Sequence, residues 1–253
     1  MIIKLFQSID LASACGRPAD DAPRPARPLA ARPPFGHVRA MTGPELTLNG
    51  ARLAARASGA LWWEAERLLC VADLHLGRSE RLARRGGALL PPYETADTLA
   101  RLAAEVERLA PAVVVALGDS FDDLGCADAL AAADAARLTA LCAGRDWVWI
   151  AGNHDPGPLA LPGRHLAELR LGPLVFRHAA EPDAAPGEVS GHYHPKFRLA
   201  AGGRAITRAC FLHDARRLIL PAFGAYVGGL RADAPALAAL FAPPARAILT
   251  GAP

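Results

Sequence analysis

The apolar positions of this chain gather into short, unbroken runs: Leu68 to Ala72, Ala112 to Leu117, Trp147 to Ala151 and Leu174 to Phe176, with a shorter stretch at Glu188 to Ser190. Runs of that length, rich in Val, Leu, Ile and Trp, predict strands covered on both faces. Between them lie Ala- and Leu-rich stretches with helical spacing, Thr95 to Leu109 and Ala127 to Leu141. Strands alternating with helices predict an α/β arrangement. At 253 residues and 52% hydrophobic content the chain can bury a full core, and one α/β domain of about 200 residues is ordinary.

Each run ends in a polar cluster: Asp73-Leu74-His75, Gly118-Asp119, Gly152-Asn153-His154-Asp155, Arg177-His178 and Gly191-His192-Tyr193-His194. Loops at one edge of an α/β sheet can bring such distant residues to a single site. Carboxylate oxygen with imidazole nitrogen suits divalent ions of intermediate hardness, namely Mn, Fe, Zn or Ni. These clusters hold enough donors for two ions. Asp73 and His75, two residues apart at a strand end, can face one ion, and His192 and His194 repeat the spacing. A lone D-x-H or G-D reads as a surface loop. All five clusters, each after an apolar run, do not.

At these residues the chain resembles the calcineurin-like metallophosphoesterase superfamily. That family's D-x-H, G-D-x-x-D, G-N-H-D/E, G-H and G-H-x-H motifs are matched by Asp73/His75, Asp119/Asp122, Asn153/His154/Asp155, His178 and His192/His194. The segments Leu117-Gly118-Asp119-Ser120-Phe121, Pro91-Pro92-Tyr93-Glu94, Gly191-His192-Tyr193-His194-Pro195 and Leu220-Pro221-Ala222-Phe223-Gly224 resemble its bacterial ligase-associated DNA-damage-response endonuclease branch. The resemblance runs from about Leu46 to about Leu249. It departs at Arg177, where the family has Gly.

The resemblance implies a four-layer sandwich, two β-sheets face to face and flanked by helices. It implies that Asp73, His75 and His194 hold one metal, that Asn153, His178 and His192 hold a second, and that Asp119 bridges the two. His154 is implied to be the catalytic residue, facing the substrate as a general acid. Asp122 and Asp155 are implied to orient ligands or loops from behind. Two divalent ions are expected as cofactors, manganese foremost and Fe, Zn or Ni compatible with the same donors. The branch further implies single-stranded DNA as substrate and association with a DNA-repair ligase and helicase.

Other features narrow the picture only slightly. No apolar run approaches the ~20 residues that span a bilayer, and the five cysteines show no C-x-x-C pairing. They read as reduced core thiols, which suits the cytoplasm. The net charge of +3 does not announce a nucleic-acid binder. Placement says more: Arg78, Arg81, Arg84 and Arg85 follow the first cluster, and Lys196 and Arg198 follow the last. Arg78, Arg81, Arg85 and Lys196 are therefore candidates for contacts with phosphates flanking the scissile one, against the plain alternative of a solvated helix face.

Residues 1–42 differ from residues 43–253, which form the expected metallophosphoesterase domain. Asp20 to Pro34 is dominated by Pro, Ala and Arg without an apolar period. The segment reads either as a disordered arm or as upstream sequence ahead of a true start at Met41. The functional expectation is a binuclear phosphodiesterase acting on nucleic acid. Its rivals are a small-molecule phosphodiesterase or phosphomonoesterase with the same metals, and a non-catalytic scaffold of the same fold.

Overall fold

The computed structural model describes residues 8–10, 43–86, 93–201 and 204–251. The first strands are β1 (Ser8–Asp10), β2 (Glu45–Leu48), β3 (Ala51–Ala55), β4 (Leu61–Trp63) and β5 (Leu68–Val71). Helices α1 (Arg78–Arg84) and α2 (Glu94–Leu109) lead to β6 (Val113–Ala116). Helices α3 (Leu124–Asp128) and α4 (Ala132–Cys142) lead to β7 (Asp146–Ile150). Then follow β8 (Arg164–Leu166), β9 (Glu168–Leu171), β10 (Leu174–Arg177) and β11 (Glu188–Ser190). The chain continues through β12 (Lys196–Ala201), β13 (Arg204–His213), β14 (Arg217–Ile219), α5 (Pro235–Ala238) and β15 (Arg246–Leu249).

These strands form two mixed sheets. One runs β2-β3-β4-β5-β6-β7-β8, the other β1-β15-β13-β14-β11-β10-β9 with β12 hairpinned onto β13. The apolar runs of β5, β6 and β7 are continuous because these strands are buried on both faces. Cys70, Val115, Val148 and Ile150 point into the core between the sheets, where they meet Phe176, Val189 and Phe211. Their neighbours Leu69, Val71, Val114, Trp147 and Trp149 point outward and pack under α2 and α4 through Leu99, Leu102 and Leu138. The outer face of the second sheet is covered more thinly, by Leu237 of α5 and by Phe197. The expected α/β sandwich of two sheets with flanking helices is thus the observed one. Cys70, Cys126, Cys142 and Cys210 are free and buried, as core thiols should be; Cys15 lies outside the described residues.

One expectation needs correction. The single helix expected over Ala127 to Leu141 is two. Asp123 caps α3 by accepting from the Cys126 amide at 2.8 Å, and Cys126 is pinned to the Gly77 carbonyl at 3.2 Å. The next helix must start afresh to lay Leu138 and Leu141 on α2. Within the leader, Ser8–Asp10 pairs antiparallel with Arg246 to Ile248 as an edge strand. The Pro- and Arg-rich stretch and Met41 lie outside the described residues.

Strands β5, β6, β7 and β8 are mutually parallel, as are β10, β11 and β14. The loops leaving β5, β6, β7, β10 and β11 carry the polar clusters. They meet where the carboxyl ends of the two sheets come together.

Candidate metal centre

Asp73 and His75 turn off the end of β5 in a left-handed backbone conformation, with φ of 54° and 46°. Asp119 (45°), His192 (69°) and His194 (48°) do the same. Non-glycine residues adopt positive φ rarely, Asp and His among the more tolerant. Five such residues in one place indicate backbone bent to aim side chains inward. The glycines of the motifs serve close approach: a Cβ on Gly152 would lie 2.1 Å from the Asp119 nitrogen, and one on Gly191 2.5 Å from Asp73 Oδ2.

The loops are tied to one another. The His75 amide donates to the Asp119 carbonyl at 2.9 Å. The His192 amide donates to Asp73 Oδ2 at 2.9 Å, joining the two sheets across their seam. Gly224 and Phe223 donate to the carbonyls of Asp73 and Ala72, so the Leu220 to Gly224 segment braces the end of β5. Asp155 accepts from the amides of Ser120, Phe121 and Gly152 and holds the second and third loops together. Burial pushes its carboxyl pKa upward.

Around this frame the donor atoms of the described residues form three overlapping groups, two of them without His154. In the first, Asp73, His75 and His194 offer donor atoms within 4.8 Å of one another. His194 Nε2 stands 3.3 Å from Asp73 Oδ1 and 3.4 Å from His75 Nε2. In the second, Asp119, His178 and His192 converge likewise, with His178 Nε2 at 3.4 Å from Asp119 Oδ2 and 3.1 Å from His192 Nδ1. His178 Nδ1 donates to the Leu117 carbonyl at 2.8 Å, which turns Nε2 inward. Asp119 Oδ2 also lies 4.0 Å from His75 Nε2, between the two groups. Ring nitrogens meeting nitrogen to nitrogen, among buried carboxylates, fit cations of the intermediate class. Asn153 is exposed in the same loop as His154.

Electrostatics follow from the packing. Burial alone would raise the Asp119 carboxyl, but His178, the His154 amide and His75 outweigh it and the pKa is lowered. Burial would lower His178, yet Asp119 and Asp73 raise it. His192 is lowered by burial and by the charge of His178. A cation entering this half therefore displaces a proton, and binding tightens as pH rises.

His154 sits at the open side, its side chain 39% exposed against 2% for His75. Its Nδ1 donates to the Asp122 carbonyl at 2.8 Å and its amide to Asp119 Oδ1 at 2.9 Å. Nε2 is left facing Asp119 Oδ2 at 4.0 Å.

Asp122, fully buried, accepts from His75 Nδ1 at 2.8 Å, which leaves Nε2 free for a cation. Arg78 donates to the same carboxylate at 3.0 Å, and Arg81 donates to its other oxygen. The two arginines are thus turned inward onto a carboxylate that orients a ligand, a role that sequence position did not disclose. Arg84 pairs with Asp123. Arg85 and Arg198 are exposed. Lys196 donates to the Val227 carbonyl at 3.1 Å and lines a cavity beside His194. Arg177 points away from the metal groups, into Glu168 at 2.8 Å, Glu181, and Glu188 at 3.5 Å. Also missed was Glu94, whose buried carboxylate accepts from Ser79 Oγ at 2.7 Å and its amide at 3.0 Å, fixing the start of α1.

Asp122 yields a prediction. Burial would raise its carboxyl, but His75, Arg81 and Arg78 lower it to about 2 from 3.8. A depressed carboxylate stabilises the fold fully above its ordinary pKa and loses that contribution as pH falls toward 2. Asp122→Asn should flatten this acid limb in denaturation curves taken from neutral pH downward. It should also weaken manganese binding about 10- to 100-fold in calorimetric titration, the usual cost of losing a partner behind a ligand. Wild-type affinity in the variant would remove Asp122 from the site.

The comparisons accord with this geometry. The family model for calcineurin-like phosphoesterase matches residues 66–214, more than half the chain, and the chain belongs to that family. It is thus a metal-dependent phosphoesterase, with His and Asp groups placed to hold divalent ions. Among solved structures it is similar to the nuclease MPE of Pseudomonas putida, at 29% identity and a TM-score of 0.64, over 82% of this chain and 96% of that one. A comparison with curated protein sequences gives no match. Among the described residues no helix is long and apolar enough to cross a membrane.

Proposed function

We propose that this phosphoesterase cleaves phosphodiesters of single-stranded DNA internally, with manganese as activator, in a repair setting beside a ligase and helicase. The likeness to a nuclease along nearly all of that protein's length carries the reading. Asp73, His75 and His194 would hold one ion, Asn153, His178 and His192 would hold the other, and Asp119 would serve both. Bound ions supply Lewis acidity to a phosphoryl group. Asp122 fixes the tautomer of His75, and the Leu117 carbonyl fixes that of His178. His154, anchored at Nδ1, presents Nε2 to the departing oxygen and delivers a proton there. The open setting of His154 suits a flexible strand, whose phosphate can bend down to the buried donors; a stiff duplex reaches them less easily.

Purified protein with manganese should open circular single-stranded DNA and cut linear single strands much faster than duplex. Shortening of linear strands from an end, with circles intact, would make it an exonuclease. Hydrolysis of bis(4-nitrophenyl) phosphate with DNA untouched would make it a small-molecule phosphodiesterase.

A further inference from the structure

A cavity of about 300 Å³ opens directly beside the first metal group, with His194 in its wall. Its volume stands at the lower end of the range for small-molecule sites, about 300–1,000 Å³. Much of the lining is glycine and alanine, and among the described residues none of it is Asp or Glu. Among the described residues its charged side chains are two cations, Arg101 of α2 and Lys196 of β12. Arg101 is held in place on several sides: its guanidinium lies 4.7 Å above the Phe223 ring, donates to the Ser58 carbonyl at 3.1 Å, and stands 3.9 Å from Asp97. Lys196 is tethered by the Val227 carbonyl. Both are positioned before any ligand arrives.

Tyr226 is the aromatic residue of this wall. It is 56% exposed, and it holds a φ of +55°. A bulky residue in the left-handed region is an outlier, costing roughly 1–2 kcal/mol. With more than half of the residue exposed, packing repays little of it. The Ala225 amide donates to Thr98 Oγ1 at 3.0 Å, which ties the strained loop to α2 next to Arg101. An exposed aromatic side chain in the same wall as two cations and a metal-group histidine has the make-up of a stacking platform with an anion site.

We propose that this cavity is the subsite for the nucleotide next to the scissile phosphate, with the base stacked on Tyr226 and the adjoining phosphate held by Arg101 and Lys196. The proposal rests on the nucleic-acid reading of the site. It assigns the recognition of nucleotides to a wall the metal ligands do not contain, apart from His194.

The test uses manganese-loaded protein and two readouts. One is the anisotropy of a labelled phosphorothioate oligothymidylate, which resists cleavage. The other is the ratio of kcat/KM for single-stranded DNA to that for bis(4-nitrophenyl) phosphate, which has no nucleoside. Tyr226→Ala should weaken oligonucleotide binding about tenfold or more, the span of one lost base stack, and lower the ratio by a similar factor. Tyr226→Gly should do the same while relieving the positive φ, and Tyr226→Phe should restore both readouts. Lys196→Ala should reduce the slope of log affinity against log salt by about 0.7, one phosphate contact on a single strand. Wild-type affinity in Tyr226→Ala and Tyr226→Gly overturns the subsite, as does an equal loss on both substrates. If wild-type protein cuts DNA and the variants bind normally, the subsite fails and the nuclease reading stands. If wild-type protein binds without cutting and the Tyr226 variants lose binding, the cavity stands as a nucleotide site with no scissile phosphate beside it, and the nuclease reading fails. Absence of oligonucleotide binding in wild-type protein overturns both.

Discussion

His154→Ala protein should keep its metal and lose turnover by roughly 10²–10⁴-fold, the span of a lost acid–base residue. Metal retention is expected because the metal groups persist without it: Asp73 with His75 and His194, and Asp119 with His178 and His192. Loss of turnover is expected because His154 Nε2, steadied by the Asp122 carbonyl at Nδ1, is on the open side. His154 also lies with His75 and Asp119 in a third cluster of donor atoms, so metal analysis must accompany the kinetics. A variant that loses an ion makes His154 a ligand; one with full turnover makes it a bystander.

Asp119→Ala should lose tight binding of both ions, and activity with them. The carboxylate lies 3.4 Å from His178 Nε2 and 4.0 Å from His75 Nε2, so its removal deprives both groups of a shared anion. Calorimetric titration of metal-free protein with manganese reads this directly; two ions at wild-type affinity would sink the bridging role. The same titration of wild-type protein at stepwise lower pH should show weakening affinity, since the raised pKa of His178 sets a proton against the metal.

The parallel strands β5, β6 and β7 were legible because they are buried on both faces. Each leaves an unbroken apolar run, and each run delivers its motif to the same edge. Strand β13 left no such mark: Arg204 to Leu212 mixes Arg and Thr with Ile and Phe, since part of its length hairpins with β12 rather than lying in the core. The break between α3 and α4 is silent as well, because no Gly or Pro stands at Ala129 to Ala131 and tertiary anchoring imposes it.

In the site, sequence spacing could indicate donors but not the direction of long side chains. Arg78 and Arg81 are placed as rim residues would be, yet a buried carboxylate draws them inward. Arg177 lies one residue from a metal-group histidine, but as the last residue of β10 it is drawn to three glutamates on the far side. Partners that come from distant segments leave no local signal.

The left-handed backbone at Asp73, His75, Asp119, His192 and His194 changes how a scan of these residues must be read. Alanine at such a position removes a donor but keeps the β-carbon that the backbone resists, roughly 1–2 kcal/mol of strain already present in the native residue. Glycine removes the same donor and is at ease there. The difference between paired alanine and glycine variants, residue by residue, therefore separates what the side chain does for the cation from what the chain endures to hold it there.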